Sequence, residues 1–157
     1  MKIQFCAIGK MDDAYVKEGV QDFTQRISRY YPVEWKVLSS PKKGNVLNEN
    51  ELKSKEAAMI MEHIKKDDFL IALDERGKML TSEKLAGFIQ LRANESVKQL
   101  IFLIGGAYGI DETVLRRANF TWSLSSLTFP HQLVRLVLAE QVYRACTIIR
   151  NEKYHHA

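Results

Sequence analysis

The sequence predicts an α/β fold in which a mainly parallel sheet is sandwiched by helices. Apolar, strand-like segments alternate along the chain with longer segments of helical periodicity. Neighbouring parallel strands need crossover connections of helical length, and this alternation supplies them. With 157 residues, 46% of them hydrophobic, the chain can form a core that needs no disulfide or metal. It contains no repeat, low-complexity tract or linker, so we expect residues 1–157 to form a single domain.

The start of the chain predicts a strand and then a helix. The strand covers residues 2–9, where apolar residues predominate. From about residue 12 to residue 30, apolar side chains recur at three- and four-residue steps and form one stripe. Asp12 or Asp13 is suited to cap the start of this helix, and Pro32 stops it.

A second strand and a second helix follow, separated by a polar loop. The strand is predicted at residues 33–38 and the helix at residues 49–65. The loop between them, residues 39–45, contains proline and glycine, and we expect it to be mobile. Its Lys42 and Lys43 are candidates for a phosphate contact, although solvation is the simpler interpretation.

Two further strands and another helix extend the predicted sheet. Residues 68–73 and 100–104 are apolar runs typical of buried strands. Between them, residues 82–93 predict a helix that Thr81 or Ser82 opens.

The last predicted helix is apolar on more than one side. Thr128 offers a capping hydroxyl and Pro130 suits a first helical turn, so the helix is expected to begin there and continue to about Arg150. Its apolar residues are Leu133, Val134, Leu136, Val137, Leu138, Val142, Ala145, Cys146 and Ile149. Because this set exceeds one narrow stripe, we expect the helix to pack on its own sheet and against a partner, most economically in a homodimer.

The excess of positive charge lies in the C-terminal segment. Residues 1–112 contain 17 basic and 17 acidic side chains, whereas residues 113–157 contain six basic and two acidic ones. The six are Arg116, Arg117, Arg135, Arg144, Arg150 and Lys153. Guanidinium groups suit phosphate, so this segment is either a solvated helix face or a surface for nucleic acid.

The apolar runs and the cysteines bear on the cellular compartment in which the protein is expected. No run approaches the roughly 20 apolar residues of a spanning helix, and the N-terminus lacks a secretory signal pattern. We therefore expect a cytoplasmic protein with no membrane partner. Cys6 and Cys146 are expected to be buried free thiols, with a structural disulfide as the alternative.

Three segments after predicted strands are candidates for a ligand pocket. They cover residues 73–78, 104–109 and 123–130. Ligands of open α/β sheets collect beyond the carboxyl ends of the strands, so the three segments are expected to frame one pocket. Gly105 and Gly106 permit close approach of the backbone to a ligand, or they simply form a turn.

The glycine spacing argues against several common chemistries. Gly105-Gly106-x-x-Gly109 lacks the order G-x-G-x-x-G, and the chain has no P-loop, G-x-S-x-G, H-E-x-x-H or C-x-x-C motif. Dinucleotide, ATP, hydrolase and metal chemistry are therefore disfavoured, and no metal is expected. A neutral pocket rich in Ser, Thr, Leu and Gly suits an adenosine group held by main-chain hydrogen bonds.

Polar residues near the C-terminus are candidates for handling a substrate. Glu140 and Arg144 are four residues apart, the spacing of a surface ion pair, and either could orient a substrate. Beyond the helix, Tyr154, His155 and His156 offer stacking, hydrogen bonding and a titratable nitrogen. Composition alone favours a frayed tail.

In this order, the segments resemble the RlmH family of SPOUT-class methyltransferases, small bacterial enzymes that act on a pseudouridine of large-subunit ribosomal RNA. The resemblance covers the whole chain, and each of its motifs is weak alone while the ordered set is specific. The motifs are Ile8-Gly9-Lys10, Leu73-Asp74-x-x-Gly77-Lys78, Ile104-Gly105-Gly106-x-x-Gly109, Ser123-Leu124-Ser125-x-Leu127-Thr128-Phe129-Pro130-His131, Glu140-x-x-Tyr143-Arg144-Ala145 and Tyr154-His155.

The resemblance implies a chain topology, a cosubstrate and partners. The fold would be of SPOUT type with a deep C-terminal trefoil knot, which general rules of chain topology would not predict. The methyl donor would be S-adenosylmethionine, and the enzyme would be a homodimer with its long C-terminal helix in the interface. The product would be a pseudouridine methylated at N3 in 23S ribosomal RNA, formed on the assembled ribosome.

The resemblance also assigns donor-binding residues by position. They are Leu73, Gly105, Leu124, Ser125, Ser126, Leu127, Thr128 and Phe129. All of them fall in the three segments that the sequence marks as pocket candidates.

Methyl transfer from a sulfonium to nitrogen is an in-line displacement, so the enzyme must align the donor with N3 and help that nitrogen lose its proton. The catalytic candidates are His155, Tyr154 and Arg144. His131 ranks below them because the first turn of a helix disfavours a charged imidazole. Arg135, Arg144 and Arg150 are candidates for phosphate or base contacts.

Three other interpretations stay open. An RNA-binding ribosome factor with this fold would bind ribosomes without transferring a methyl group. A SPOUT enzyme for transfer RNA is a second alternative, although the chain is short for a protein that must recruit that RNA. A non-RNA enzyme with an adenosine cofactor is the third, and it leaves the cationic C-terminus unexplained.

Overall fold

The computed structural model of the chain describes residues 1–41 and 48–156, and it places helices on both faces of a five-stranded sheet. The strands are β1 (Lys2–Ile8), β2 (Val33–Leu38), β3 (Phe69–Met79), β4 (Gln99–Ile104) and β5 (Phe120–Ser123). The helices are α1 (Ala14–Ile27), α2 (Glu49–His63), α3 (Ser82–Asn94), α4 (Glu112–Arg117) and α5 (His131–Ile149). Lys42 and Lys43, with most of the loop expected to be mobile, lie outside the described residues.

The sheet is parallel throughout, with the strand order β2-β1-β4-β3-β5. β1 and β4 are buried along almost their whole length, which is typical of strands covered on both faces. β2 forms one edge and is half exposed. The α/β class and the parallel sheet expected from the sequence are confirmed, and the trefoil knot implied by the resemblance stays a prediction.

A core lies on each face of the sheet. α1, α3 and α5 cover one face, where Phe5, Phe102 and Leu138 are buried. α2 and α4 cover the other face, where Cys6 and Leu103 are buried. Successive residues of a strand point to opposite faces, which is why the neighbours Phe5 and Cys6 belong to different cores.

The broad apolar surface of α5 is explained largely within the chain. The helix packs against the sheet and against both α1 and α3, and it fully buries Leu138 and Val142. Leu133, Leu136 and Val137 are only partly buried. The breadth of the apolar set therefore does not by itself require a partner.

The segment at residues 73–78 is part of a strand, so the prediction that this strand ends at residue 73 is wrong. β3 continues to Met79 through an irregularity at which its pairing with β5 shifts from Leu73 to Lys78. A Cβ atom at Gly77 would lie 2.5 Å from the carbonyl oxygen of Thr121 in β5. The glycine of this motif is thus needed for close approach of two strands.

Other differences concern short elements and one helix start. The sequence alone predicts neither α4 nor the bounds of β5, the strand before residues 123–130, because six and four residues are too few to show a period. α5 begins after Pro130, its N-cap residue, and has no side-chain cap. The capping role expected of Thr128 is therefore wrong, while the expected start and end of the helix agree to within a residue or so.

Both cysteines are buried free thiols, as expected. They lie on opposite faces of the sheet, Cys6 in one core and Cys146 in the other. Burial raises the pKa of each thiol to about 12. Neither is therefore a reactive thiolate near neutral pH.

The helix caps give a first test of stability. At the start of α3, the Thr81 hydroxyl accepts a hydrogen bond from the backbone N–H of Lys84 at 3.2 Å, whereas Asp13 at the start of α1 makes no such bond. We expect Thr81→Ala to lower the free energy of unfolding by about 1 kcal/mol. Asp13→Ala should change it by less than about 0.5 kcal/mol. Urea denaturation measures both values, and equal losses would show that the Thr81 cap is not what stabilises α3.

Candidate active site

The three candidate segments meet where the pairing of β3 shifts after Leu73 and where β4 and β5 end. A cavity of about 640 Å³ is lined by residues of the first two segments together with Phe129 and Val134. A neighbouring cavity of about 160 Å³ is lined by residues of the first and third segments. Five residues line both, namely Leu73, Asp74, Glu75, Phe129 and Val134. We call the two together the strand-end cavity, and the three segments frame it as the sequence predicts.

The segment after β4 is a tight turn. The backbone N–H of Gly109 donates to the carbonyl of Gly106 at 3.1 Å, and Gly109 has a φ of +86°, which favours glycine. A Cβ atom at Gly105 would lie 2.6 Å from Cγ1 of Ile110 and 3.1 Å from the backbone carbon of Gly109. Glycine at position 105 therefore allows the turn to fold back on itself and present Tyr108 to the cavity.

Serine side chains hold the segment after β5. The Ser123 hydroxyl donates to the carbonyl of Ser125 at 3.1 Å, and the Ser125 hydroxyl accepts from the backbone N–H of Leu127 at 3.0 Å. Leu124, Ser125 and Leu127 line the smaller part of the cavity, and Leu127 is 71% exposed. The segment thus offers apolar side chains beside backbone groups, a combination that suits a planar, polar-edged ring.

Asp74 is a fixed negative charge in the cavity wall. Its carboxylate accepts hydrogen bonds from Arg76, at 2.9 Å from Nε, 3.2 Å from Nη2 and 2.9 Å from the backbone N–H. Burial alone would raise the pKa of Asp74, but the hydrogen bonds from Arg76 outweigh it and hold the pKa below its ordinary value. An ionised carboxylate in this position can accept a further bond from a hydroxyl or an ammonium group.

The predicted donor-binding residues are only partly in the cavity walls. Those that line it are Leu73, Leu124, Ser125, Leu127 and Phe129. Gly105, Ser126 and Thr128 belong to the same segments but do not line it. Lys53, Ile110 and Val134 also line the cavity and lie outside the three predicted segments, whereas Glu75, Arg76 and Tyr108 lie within them but are not among the predicted donor-binding residues. Glu75, Arg76 and Tyr108 occupy unspecified positions of the quoted motifs, which is where they could have been found, whereas Lys53 comes from α2 and carries no local signal.

The predicted catalytic residues form a second cluster near the end of α5. Arg144 donates to Glu140 Oε1 from Nη2 at 2.6 Å, and the Tyr154 hydroxyl donates to the same oxygen at 3.0 Å. The guanidinium carbon of Arg144 lies 4.7 Å from the centre of the Tyr154 ring. His155 lies between Arg144 and Glu83 of α3. These five residues are the tail cluster, and because they are bound together, the fraying that composition favours is wrong.

The tail cluster fixes the protonation of its polar groups. Arg144 Nη1 lies 3.2 Å from His155 Nδ1, and a guanidinium can only donate, so Nδ1 accepts. The proton of the neutral ring is then on Nε2, which lies 2.9 Å from Glu83 Oε1. Burial and the hydrogen bond to Glu140 raise the pKa of Tyr154, so its hydroxyl stays protonated at neutral pH. The hydrogen bond from His155 lowers the pKa of Glu83.

Within one chain the tail cluster and the strand-end cavity are apart. Val134 of α5 lines the cavity, and Arg144 lies ten residues further along the same helix. At roughly 1.5 Å per residue, that separation is about 15 Å. Among the residues that the structure describes, no member of the tail cluster lines either part of the cavity.

The C-terminal cations do not form one continuous surface. Arg117 donates to backbone carbonyls of the turn before β3, and Arg144 belongs to the tail cluster. Arg135 is fully buried, so it does not present its guanidinium on the surface. Arg116 and Arg150 are exposed. The segment is thus less basic at its surface than its composition indicates.

His131 lines a separate cavity where β1 ends against α5. This cavity, which we call the β1-end cavity, has a volume of about 240 Å³ and includes Glu56 and Arg135 among its walls. His131 is exposed, but partial desolvation against the cavity wall and the charge of Arg135 lower its pKa, so the neutral ring is favoured near pH 7. The sequence-based expectation that a charged His131 is disfavoured agrees with this lowered pKa. The leading cause of the lowering is desolvation rather than the helix dipole.

Glu56 provides a test of pH-dependent stability. It is 4% exposed, Ser40 donates to it at 3.3 Å, and burial raises its pKa. A raised pKa means that the stability it contributes is complete below the unfolded pKa and is lost as pH rises through the folded value. We therefore expect Glu56→Gln to be more stable than the parent at about pH 8, by about 1 kcal/mol, and similar to it at about pH 4. Thermal unfolding across this range measures the difference. Parallel pH profiles would contradict it, since Lys10, Asp12 and Arg135 of the same cavity are unchanged in both proteins.

Two further properties concern residues 1–41 and 48–156. In these ranges no group of three or more His, Cys, Asp or Glu is placed to hold a metal ion. None of the helices there has both the length and the apolar character needed to cross a bilayer.

Comparison with known proteins finds a family model and relatives that match nearly the whole chain. A family model described as a predicted SPOUT methyltransferase matches residues 1–155. The chain is 46% identical over 156 residues to the ribosomal RNA large subunit methyltransferase H of Cytophaga hutchinsonii, covering 99% of this chain and 100% of the relative. It is 44% identical over 157 residues to the protein of that name from Syntrophotalea carbinolica, covering 99% of each. Among solved structures, a probable methylase family protein from Haemophilus influenzae Rd KW20 is similar in fold, with a TM-score of 0.52 at 9% identity over 99% of this chain and 70% of that one.

Proposed function

The chain belongs to the predicted SPOUT methyltransferase family, and we propose that it transfers a methyl group from S-adenosylmethionine to N3 of a pseudouridine in large-subunit (23S) ribosomal RNA. The observation that carries the proposal is the convergence of three segments on one cavity, at the irregularity of β3 and at the carboxyl ends of β4 and β5. The choice of RNA follows the names of the relatives, which match this chain over nearly its full length. The proposed enzyme is one domain, residues 1–157.

The strand-end cavity fits the proposed donor. Leu124, Leu127 and Phe129 suit an adenine ring, and the glycine turn at residues 105–109 lets backbone groups approach it. Asp74 suits a hydroxyl or an ammonium group of the same ligand. When bound, S-adenosylmethionine supplies an electrophilic methyl group on a sulfonium sulfur. The donor-binding set proposed from the sequence, from Leu73 to Phe129, is retained on this basis.

The tail cluster is suited to handle the pseudouridine. In the transfer, N3 loses its proton and forms a bond to the methyl carbon while the sulfur–methyl bond breaks on the opposite side and the donor leaves as a neutral thioether. The protein must therefore align the two molecules and help remove the proton from N3. Arg144 and Tyr154 can position the base, since one donates hydrogen bonds and the other offers a ring face. His155 supplies an imidazole nitrogen that can accept a proton. Its Nδ1 accepts from Arg144, so that contact must open before His155 can take the N3 proton.

A homodimer would bring the two groups of residues together. The tail cluster of one chain is about 15 Å along α5 from its own cavity, and a second copy packed on α5 could place its tail at that cavity. Leu133, Leu136 and Val137 of α5 are partly exposed, and Leu127 beside the cavity is 71% exposed. Such a dimer would cover these apolar residues and complete each site with residues from both chains.

The assembled ribosome is the proposed substrate. The first 112 residues carry no net charge, and several C-terminal arginines are bound within the chain, so the surface is poorly suited to hold naked RNA by charge alone. The shape of the ribosome would then contribute to recognition. The proposed location is the cytoplasm, because the proposed substrate is the ribosome.

Transfer of labelled methyl groups tests the proposal. Purified ribosomes that lack the modification are incubated with the protein and labelled S-adenosylmethionine, and the label is mapped by mass spectrometry. We expect the label on a pseudouridine of the large subunit. Ribosome binding without transfer would favour a non-catalytic factor, and label on transfer RNA alone would reassign the substrate. Absence of S-adenosylmethionine binding would contradict the methyltransferase proposal.

Mixed dimers test the shared site. A chain carrying His155→Ala and a chain carrying Gly105→Val are each expected to be inactive, and the two are combined into a purified mixed dimer. If each site combines the cavity of one chain with the tail of the other, one of the two sites in the mixed dimer is intact and activity returns. If both parts come from the same chain, every site keeps one defect and the mixture stays inactive.

A further inference from the structure

Arg135 is a buried charge with little compensation. It is 0% exposed, and Nη2 donates to the carbonyl of Ile8 at 2.9 Å. Nε and Nη1 are also buried, and neither has a hydrogen-bond partner among the residues that the structure describes. A guanidinium stays charged at neutral pH, and a desolvated charge that meets one neutral acceptor is costly. Such a group indicates that a further partner, an anion, belongs beside it.

The β1-end cavity provides the space for that anion. Arg135 is one of its walls, and the volume of about 240 Å³ is several times the roughly 30 Å³ that a water molecule occupies in the liquid. The cavity shares only Ala107 with the strand-end cavity. Both open at the carboxyl edge of the parallel sheet, one after β1 and the other after β3, β4 and β5.

Further positive groups surround the cavity. Lys10 is exposed and lines it, and the 19-residue α5 begins there with His131, so its N-terminal backbone adds partial positive charge. Gln132 holds the segment after β1 against the start of α5. Its Nε2 donates to the carbonyl of Lys10 at 3.0 Å, and its Oε1 accepts from the backbone N–H of Asp12 at 3.1 Å.

Two carboxyl groups also line the cavity and must be weighed against these cations. Asp12 is exposed, and its charge partly offsets the lowering of the pKa of Arg135 by burial. Glu56 is buried, and that burial raises its pKa, which favours the neutral form. The cavity therefore has two full positive charges, on Lys10 and Arg135. Against them stand the exposed carboxylate of Asp12 and the carboxyl group of Glu56, whose burial favours its neutral form.

We propose that the β1-end cavity binds a backbone phosphate of the RNA substrate, with Arg135 on its inner side and Lys10 at its mouth. The inference rests on the proposed function. A phosphodiester carries one negative charge on two oxygens, which matches one buried guanidinium and one exposed ammonium. Because both cavities open at the same edge of the sheet, the phosphate would anchor the RNA beside the methyl donor and would carry no sequence information.

Binding of a free oxyanion is the first part of the test. Inorganic sulfate is titrated into the ¹⁵N-labelled protein while NMR follows backbone amides and the Arg135 Nε–H. We expect saturable shifts at Gly9, Lys10 and Gln132, which Lys10→Gln weakens by about tenfold, the effect of losing about 1.4 kcal/mol. Lys98→Gln, an exposed lysine just before β4 at the opposite edge of the sheet, is the matched control and should leave the shifts unchanged. This part needs no methylation, so it stands even if the proposed function fails.

Kinetics on ribosomes are the second part. Lys10→Gln should raise KM for ribosomes about tenfold, leave kcat and the Kd for S-adenosylmethionine unchanged, and reduce the salt dependence of ribosome binding by about one counterion. Arg135→Lys, which keeps the charge, should show a smaller rise in KM. Arg135→Met should behave like Lys10→Gln if it folds, and Lys10→Gln carries the test if it does not.

Two results would overturn the proposal. If Lys10→Gln weakens donor binding as much as ribosome binding, the cavity holds the carboxylate of the donor and no RNA phosphate. If sulfate causes no saturable shift and KM is unchanged, Arg135 only supports the fold.

Discussion

Replacing His155 or Arg144 by alanine is expected to lower kcat for ribosome methylation by about a hundredfold or more, the usual range for loss of a group that positions or deprotonates a substrate. Both side chains belong to the tail cluster, and neither lines the strand-end cavity. The Kd for S-adenosylmethionine should therefore stay within about twofold of the parent, because donor binding depends on other residues. Single-turnover kinetics and calorimetric titration of the donor measure the two quantities separately.

The neighbouring histidine provides the matched control. His156 is exposed, whereas His155 contacts Arg144 and Glu83. His156→Ala should keep kcat within about twofold of the parent, as for an exposed residue outside the site. A large loss in His156→Ala, or a normal rate in His155→Ala, would show that the tail acts through its general charge or length rather than through the contacts of the cluster.

Gly105→Ala is expected to weaken donor binding by about fivefold or more, corresponding to the 1–3 kcal/mol that overpacking typically costs. The added Cβ atom would lie 2.6 Å from Ile110 and 3.1 Å from the backbone of Gly109. The Ile110 side chain can rotate away, but the backbone contact requires the turn to move, and the turn forms one wall of the strand-end cavity. Calorimetric titration of S-adenosylmethionine against the folded variant measures the loss.

Gly87→Ala separates this effect from a general loss of glycine. Gly87 lies in α3, and a Cβ atom there would meet nothing within 4 Å. Alanine is also the better helix former by up to about 1 kcal/mol, so this variant should be at least as stable as the parent and should bind the donor equally well. Unchanged donor binding in Gly105→Ala would show that the turn after β4 takes no part in the donor site.

The location of the pocket was predictable from the sequence, but the lining residues outside the three predicted segments were not. Gly105, Gly109 and Ser125 lie in short motifs that directly follow apolar strands, and parallel strands bring such segments to one edge of a sheet. Lys53 reaches the same wall from α2, and no local pattern marks it. Gly77 looked like part of a ligand loop, whereas it is needed where β3 passes close to β5.

The docking of the C-terminal tail was also not predictable from the sequence. Tyr154 and His155 were identified as chemically useful residues, but composition favoured fraying because a short polar segment has little apolar surface to bury. Contacts far apart in the chain decide otherwise, since Glu83 of α3 and Glu140 of α5 each bind a tail residue. A single sequence does not show which distant carboxylates lie beside its last residues.

The sequence by itself determined the α/β class, the parallel sheet and the helices that cover it, because each of these depends on local periodicity and on the length of connections. Only the tertiary structure decided that Arg135 is buried with two nitrogen atoms that have no hydrogen-bond partner among the described residues, that the tail is docked, and that the tail cluster is apart from the cavity of its own chain. The physical reason is that burial, hydrogen bonding and the distance between sites depend on residues more than a hundred positions apart, as between Arg135 and Ile8, and no local pattern encodes them.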